Sequence, residues 1–428
     1  MILKEEKLKI SRNKIQKNAL NFIAKDKYKH ICLEYATGVG KSYTMILILN
    51  YILSLNKTFK VLLLEPELAL IENIKKEFIK FDKENLLQNI DIICYASLKK
   101  IDEEKYDVII ADEAHHNFSE LRQNALKSQK PKYSILLSAT LNKPQIKKME
   151  KIWNCEYIIH KVSLKNAMTW GILPSPKIGV FNLKLKNKEK NCQYIFERGE
   201  EDKRKTIEVF KESEKWKYIK DKKNYPNLHL IVNCTEEEKH NQLEYQSNKA
   251  EEFYIKKQTK SSKTFYLYSE LCIKRFLSDL KTPYLDEFLN DIDNQRYLVF
   301  AGSVAQAEEL AKNHNGHVIS SNEKNSQEII DKFNSKEYKN LYTCKKIQEG
   351  ANLSELDCVI MIQLDGNSKD FIQKFGRGLR GTKPEIFIFY FKGTKDEKYL
   401  ETALMNIDKE LIEYFDYFYD KELISNKK

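Results

Sequence analysis

The chain has 428 residues, a formal net charge of +11 and a hydrophobic fraction of 42%. At about 150 residues per domain this is two to three domains, with enough apolar content to exclude wholesale disorder. No run of about 18 apolar residues and no signal-peptide core occurs, and the eight cysteines form no CxxC pair, so a membrane span, a disulfide framework and a zinc ribbon are disfavoured and a reducing cytoplasm is expected. Taken in chain order, residues 31–35 read as a strand running into a glycine-containing loop, and 42–55 as a helix. Residues 61–64, 90–95, 108–111 and 134–137 follow as short apolar strands. Strands separated by helices predict a parallel sheet whose ligands bind beyond the strands' carboxyl ends. The middle, 183–290, is dense in Lys, Glu, Asn and Tyr. Within it 206–220 and 236–257 read as helices and 229–232 as a strand, so it is expected to be a mostly helical insertion. From residue 296 the α/β rhythm returns, with strands over 297–301, 318–320, 341–344, 359–363 and 386–391. The tail spaces Leu400, Ala403, Leu404, Ile407, Leu411, Tyr414 and Phe418 as one helix face.

The loops after these strands carry the chemistry. Ala36-Thr37-Gly38-Val39-Gly40-Lys41-Ser42 lies between a strand and a helix. Gly38 and Gly40 let the backbone curl around phosphate oxygens. Lys41 supplies a cation and the Ser42 hydroxyl a Mg²⁺ ligand, and the helix start adds its dipole. The position five before Gly40, a glycine in the strict phosphate-loop pattern, is Tyr35. Asp112-Glu113-Ala114-His115 follows a buried strand. Asp112 suits a metal shell, and Glu113 suits orienting and deprotonating an attacking water. Alone, such a string is a solvated acidic turn; its place after a strand, beyond the glycine loop, favours the site. Ser138-Ala139-Thr140 stands at the next strand end. Gln373, Arg377 and Arg380 share helical spacing, so both arginines can face one side. Two such cations across a cleft would stabilise charge on a transferring phosphoryl group; as a surface helix they would simply be solvated. Gly350 sits in a tight-loop segment after a strand.

In this order the elements resemble a superfamily 2 helicase of the DEAD/DEAH-box type. ATGVGKS matches motif I, DEAH motif II, SAT motif III and QKFGRGLR motif VI. VLLLEPELAL resembles motif Ia, IICYASL the segment called Ib or Ic, YLVFAGSVAQAEEL motif IV and QEGANL motif V. The stretches around Arg275, Lys281-Thr282 and Thr394-Asp396-Glu397 look similar to compact phage helicases. The resemblance implies an α/β fold of two RecA-like parallel-sheet lobes, a P-loop NTPase fold, with a mostly helical insertion and a C-terminal helix. The implied organisation is an ATP-binding lobe over 1–182, an inserted segment over 183–290, a second RecA-like lobe over 291–395 and a C-terminal helix over 396–428. It implies ATP and Mg²⁺ as cofactors: Ala36 to Ser42 and Gly350 hold nucleotide, Gln16 reads adenine, and Ser42 and Asp112 hold Mg²⁺. Glu113 activates water. His115, Ser138 and Thr140 couple the nucleotide site to lobe movement, and Gln373, Arg377 and Arg380 complete the site. In the family's pattern an arginine lies three residues before the adenine-reading Gln; here Asn13 holds that place, with Arg12 one further.

The function expected is an ATP-dependent DNA helicase or translocase acting in a bacterial or phage-infected cytoplasm, with replication, recombination or restriction proteins as partners and no membrane. An RNA helicase or the motor of a restriction or remodelling complex is the alternative. A stretch of interleaved lysines and aromatics over 253–276 fits either a single-strand surface or a solvated linker. Trp153, Trp170 and Trp216 read as packing residues.

Overall fold

The computed structural model of the protein describes residues 2–25, 28–101, 105–118, 120–139, 141, 143–292, 294–320, 326–344, 353, 356–364, 376, 384–405 and 407–417. Its first lobe is a six-stranded, wholly parallel sheet in the order β3-β2-β4-β5-β1-β6. The strands are β1 (His30–Tyr35), β2 (Val61–Glu65), β3 (Ile90–Cys94), β4 (Val108–Ala111), β5 (Tyr133–Ser138) and β6 (Ile158–Val162). β2, β4 and β5 are buried at every position. Helices cover both faces of such a sheet, so its central strands are continuous apolar runs rather than alternating ones. The edge strands β3 and β6 keep polar positions such as Asp91, His160 and Lys161, which blunts unwanted edge pairing. β5 lies between β1 and β4, with Leu33 opposite Leu137 and Ala111 opposite Leu136. Three motif-bearing loops therefore emerge side by side.

The second lobe is a seven-stranded parallel sheet, and two of its strands depart from the sequence expectation. Its order is β12-β13-β11-β14-β15-β7-β16, built from β11 (Tyr297–Phe300), β12 (His317–Ile319), β13 (Leu341–Thr343), β14 (Cys358–Met361) and β15 (Glu385–Phe391), with β7 (Lys177–Leu183) and β16 (Ile412–Asp416). β7, expected with the first lobe, pairs with β15 from Lys177–Glu385 to Leu183–Phe391. Its apolar residues Ile178, Val180, Phe181 and Leu183 are fully buried there, and Phe181 stacks on Phe389 at 4.7 Å. The tail is not one helix. A helix spans Lys395–Leu404, and Ile412–Asp416 then turns into a strand on the open edge of β7. Ile412, Tyr414 and Phe415 are β-branched or aromatic, and an available edge outweighs their helical spacing. Phe418, the last of that spacing, lies outside the described residues.

Between the lobes the insertion holds a three-stranded sheet as well as helices. β8 (Cys192–Arg198) runs antiparallel to β10 (Leu228–Cys234), and β9 (Lys205–Val209) runs parallel to it. Residues 206–209, expected as helix, are strand because Ile207 and Val209 face the small core of Tyr194, Leu230 and Val232. The helix starts only at Glu212. Two long antiparallel helices follow, α8 (Glu236–Lys257) and α9 (Lys260–Leu280). Thr235 and Glu238 cap α8 reciprocally, with Thr235 N–H donating to Glu238 Oε2 at 2.8 Å and Glu238 N–H to Thr235 Oγ1 at 3.2 Å. Such a cap is worth about 1 kcal/mol. α9 ends at Leu280, just before Pro283 opens α10 (Thr282–Asp291). At this joint the buried Lys281 ammonium is ion-paired to Asp396 at 2.6 Å and donates to the Ile362 carbonyl at 2.7 Å.

No helix among the described residues is long and apolar enough to cross a membrane, and none of the eight cysteines is in a disulfide.

Candidate active site

The site is built where β1, β5, β4 and β2 end side by side. After β1 the chain turns through Gly38 at φ +88° and Gly40 at φ +105°, and α2 (Lys41–Leu55) begins at once. Both angles lie in the left-handed region, which a side chain disfavours and glycine does not. Thr44 ties α2 to the loop, its N–H reaching the Gly40 carbonyl at 3.1 Å and its hydroxyl at 2.9 Å. Tyr35, in place of the pattern's first glycine, is fully buried, and its hydroxyl pairs with His160 Nδ1 at 2.7 Å on β6.

Lys41 and Glu113 join motifs I and II, with Nζ 2.7 Å from Oε1. Glu113 has a left-handed backbone at φ +40°. Its N–H donates to Asp112 Oδ1 at 2.8 Å, which holds both carboxylates in one turn. Asp112 is anchored from behind, its N–H donating to the Leu64 carbonyl at 3.0 Å and its carbonyl accepting from Tyr95 at 2.6 Å. Burial works to raise the Glu113 carboxyl, but the Lys41 ammonium and His115 overcome it and hold the group below the usual carboxylate range. Ser138 donates to Glu113 Oε2 at 3.5 Å, and His115 Nδ1 lies 3.4 Å from both Glu113 Oε2 and Ser138 Oγ. Three of the expected motifs therefore meet on one carboxylate. Gln16 is buried, and its Nε2 lies 3.0 Å from where a Cβ on Gly40 would stand. Arg12 donates to the Ile172 carbonyl at 2.9 Å, and Leu173 covers Gly38, so the first helix and the 171–173 turn flank the phosphate loop.

Two features escaped the sequence reading. Glu65 ends β2 beside Asp112 and is only 2% exposed. Burial, with Asp112 and Glu113 nearby, pushes its carboxyl up to about 10 against the opposing pull of Lys41, so a third acidic group stands near Asp112 and Glu113. The signal was available: an acidic residue closing an otherwise apolar strand. Second, Gly376 of the expected motif VI lies against Thr37, with its would-be Cβ 2.8 Å from Thr37 Cβ. This brings the second lobe onto motif I. Gln373, Arg377, Arg380, Gly350 and Thr140 lie outside the described residues.

The comparisons agree with this geometry. The family model described as Type III restriction enzyme, res subunit, matches residues 9–143, and Helicase conserved C-terminal domain matches 280–382. The first spans the phosphate loop, Asp112 and Glu113, and the second spans β11 to β14 of the other lobe. The chain is a superfamily 2 helicase. The two matched domains are those of an ATP-hydrolysing helicase. Among solved structures, this helicase is similar to S. cerevisiae Dbp5 bound to RNA and ADP BeF3. A variant of that protein has 12% identity, a TM-score of 0.56 and coverage of 97% of this chain and 93% of that one. A second Dbp5 structure has 11% identity, a TM-score of 0.54 and coverage of 94% and 88%. The Pyrococcus furiosus Hef helicase domain has 14% identity, a TM-score of 0.48 and coverage of 92% and 98%. No curated protein matches the helicase.

Proposed function

We propose that this helicase is an ATP-dependent DNA helicase or translocase, coupling Mg²⁺-dependent ATP hydrolysis between its lobes to movement along nucleic acid. The observation that carries the reading is the Lys41–Glu113 ion pair at 2.7 Å, with Ser138 and His115 on the same carboxylate. When ATP enters, Lys41 exchanges Glu113 for phosphate oxygens, and Glu113 is released to orient water and accept its proton. Ser42 and Asp112 would hold a Mg²⁺ ion, whose chemistry is to neutralise charge on the phosphates. Their hydroxyl and carboxylate are the hard oxygen donors such an ion takes. Gln16, beside Gly40, reads the adenine. Arg377 and Arg380, which follow Gly376 in the sequence, would stabilise charge on the γ-phosphoryl group, with Gln373 completing the site and Gly350 supporting the nucleotide. His115, Ser138 and Thr140 pass the state of Glu113 to the lobes, which close on ATP and reopen after hydrolysis. Nucleic acid crosses both lobes through its phosphates, so binding weakens with salt.

DNA is favoured over RNA by the Type III restriction description of the first-lobe match and by the DEAH form of motif II. The same match favours a second reading, the motor subunit of a restriction or remodelling complex. RNA is the alternative substrate, as in the RNA-bound Dbp5 structure. ATPase rates with single-stranded DNA, duplex DNA and RNA, followed by strand displacement on forked, 3′-tailed, 5′-tailed and RNA-containing duplexes, test these readings. Stimulation by DNA with displacement is expected. Stimulation by RNA alone would replace this reading with the RNA helicase, and duplex-stimulated ATPase without displacement would replace it with the motor subunit.

A further inference from the structure

The α8–α9 hairpin carries chemistry that the nucleotide site does not use. Its root is fixed to the second lobe. Ile273 and Leu277 belong to that lobe's core, Tyr399 donates to Glu270 Oε2 at 3.0 Å, and Lys395 is ion-paired to Glu270. From Ile273 to the turn at Thr259 the hairpin runs on for about 20 Å at ~1.5 Å per residue. The seam between its helices uses small or polar residues toward the tip, with Ser247, Ala250 and Ser262 buried, and Tyr254 stacks parallel on Tyr266 at 6.1 Å. The large apolar side chains there stand off the seam. Phe253 is 48%, Phe265 56% and Tyr268 62% exposed, so they neither hold the helices together nor cover a lobe. Phe276 at the root, by contrast, packs on the second-lobe core.

The charge is equally lopsided. Between residues 249 and 268 five lysines stand against two glutamates. Lys249 is paired with Glu252 at 3.0 Å, and Glu251 accepts from Tyr266 at 3.4 Å. Lys256, Lys257, Lys260 and Lys263 are exposed, and among the described residues none of their ammonium groups is in an ion pair. A protein partner of ordinary surface charge would leave this cluster unneutralised. A flexible polyanion with planar bases satisfies both halves of the surface, its phosphates meeting the ammonium groups and its bases the rings.

We propose that the hairpin tip binds single-stranded nucleic acid, with Lys256, Lys257, Lys260 and Lys263 meeting phosphates and Phe253, Phe265 and Tyr268 stacking on bases. This rests on the nucleic-acid reading above and adds a contact outside the ATP-closing cleft.

The test uses the full chain and fluorescein-labelled oligothymidylate and oligouridylate, with binding read by anisotropy over a salt series and ATPase read in parallel. A variant with the four lysines changed to Gln is expected to bind about tenfold more weakly at low salt. Its log K against log salt slope should flatten by about 3, at ~0.7 per lost phosphate contact. A Phe265→Ala/Tyr268→Ala variant should weaken binding with the wild-type slope retained. Both should keep the ATPase rate measured without nucleic acid. If the wild type is stimulated by an oligonucleotide but the lysine variant binds with unchanged affinity and slope, the hairpin proposal is overturned, and a protein-docking role takes its place. If no oligonucleotide binds or stimulates even the wild type, the nucleic-acid reading itself fails.

Discussion

Glu113 joins strain, charge and chemistry in one residue. Its left-handed backbone is costly for a side chain bearing a Cβ, and the Asp112 carboxylate that accepts its N–H holds the turn. Glu113→Gln keeps the size but can neither accept water's proton nor pair with Lys41. A fall in kcat of about 10²–10³, with the KM for ATP changed far less, is expected in a steady-state ATPase assay. An unchanged rate would remove Glu113 from the mechanism. Gly376 makes a steric prediction, since its would-be Cβ stands 2.8 Å from Thr37 Cβ. Gly376→Val should reduce ATPase at least about tenfold, because misplacing groups across a closing cleft costs on that scale, while the melting temperature changes little. His30 titrates against the fold. Burial, with Lys29 adding repulsion, lowers its imidazole to about 4, and its Nδ1 is paired with Ser134 at 2.8 Å. The unfolded chain takes up this proton near the ordinary value of about 6.5, so the contribution is intact above that pH and is lost as pH falls toward 4. The melting temperature of His30→Asn should therefore drop less than that of the wild type between about pH 7.5 and about pH 4.5. An equal drop would place the acid sensitivity elsewhere.

At the scale of elements, the joint between α9 and α10 depends on one buried charge pair. Lys281 and Asp396 have side chains only 1% and 5% exposed, and Asp396 also accepts from the Phe391 N–H at 3.3 Å. Lys281→Met leaves a buried carboxylate without its cation, which costs about 3–5 kcal/mol. Urea denaturation should show this loss, and a Lys281→Met/Asp396→Leu double variant should recover part of it. Elements whose reason for existing is local were readable in advance. α8 runs over the same residues the spacing predicted, because Thr235 and Glu238 make their own cap. β9 was read as helix although Ile207 and Val209 are two residues apart, the strand period, and its pairing with β10 makes it a strand. Trp216 was read as packing yet is 49% exposed; helical spacing does not say which face finds a neighbour.

For the molecule as a whole, the lobes are joined by more than the ligand site. One continuous apolar cluster includes Ile31 and Leu33 of the first sheet with Ile178, Leu298 and Ile386 of the second. The Lys165–Asp408 pair at 2.6 Å also bridges the two lobes, but both side chains are about half exposed. Exposed pairs contribute about 1 kcal/mol or less, so Asp408→Ala should lower the melting temperature by no more than about 2–4 °C. A larger fall would show that this rim contact, rather than the shared apolar cluster, ties the lobes.

The +11 charge, the parallel-sheet rhythm and the order of motifs I, II and III could be read from the sequence because each motif is local: a buried strand, the loop that ends it and the next helix. Lys41, Asp112, Glu113 and Ser138 converge once those strands lie side by side. The tertiary structure alone assigned Lys177–Leu183 and Ile412–Asp416 to the second sheet, set Glu65 near Asp112 and Glu113 and brought Gly376 to Thr37. Each of these depends on which distant segment fills an open sheet edge or a buried volume. That choice is made by competition among long-range contacts, which leave no periodic trace in the chain.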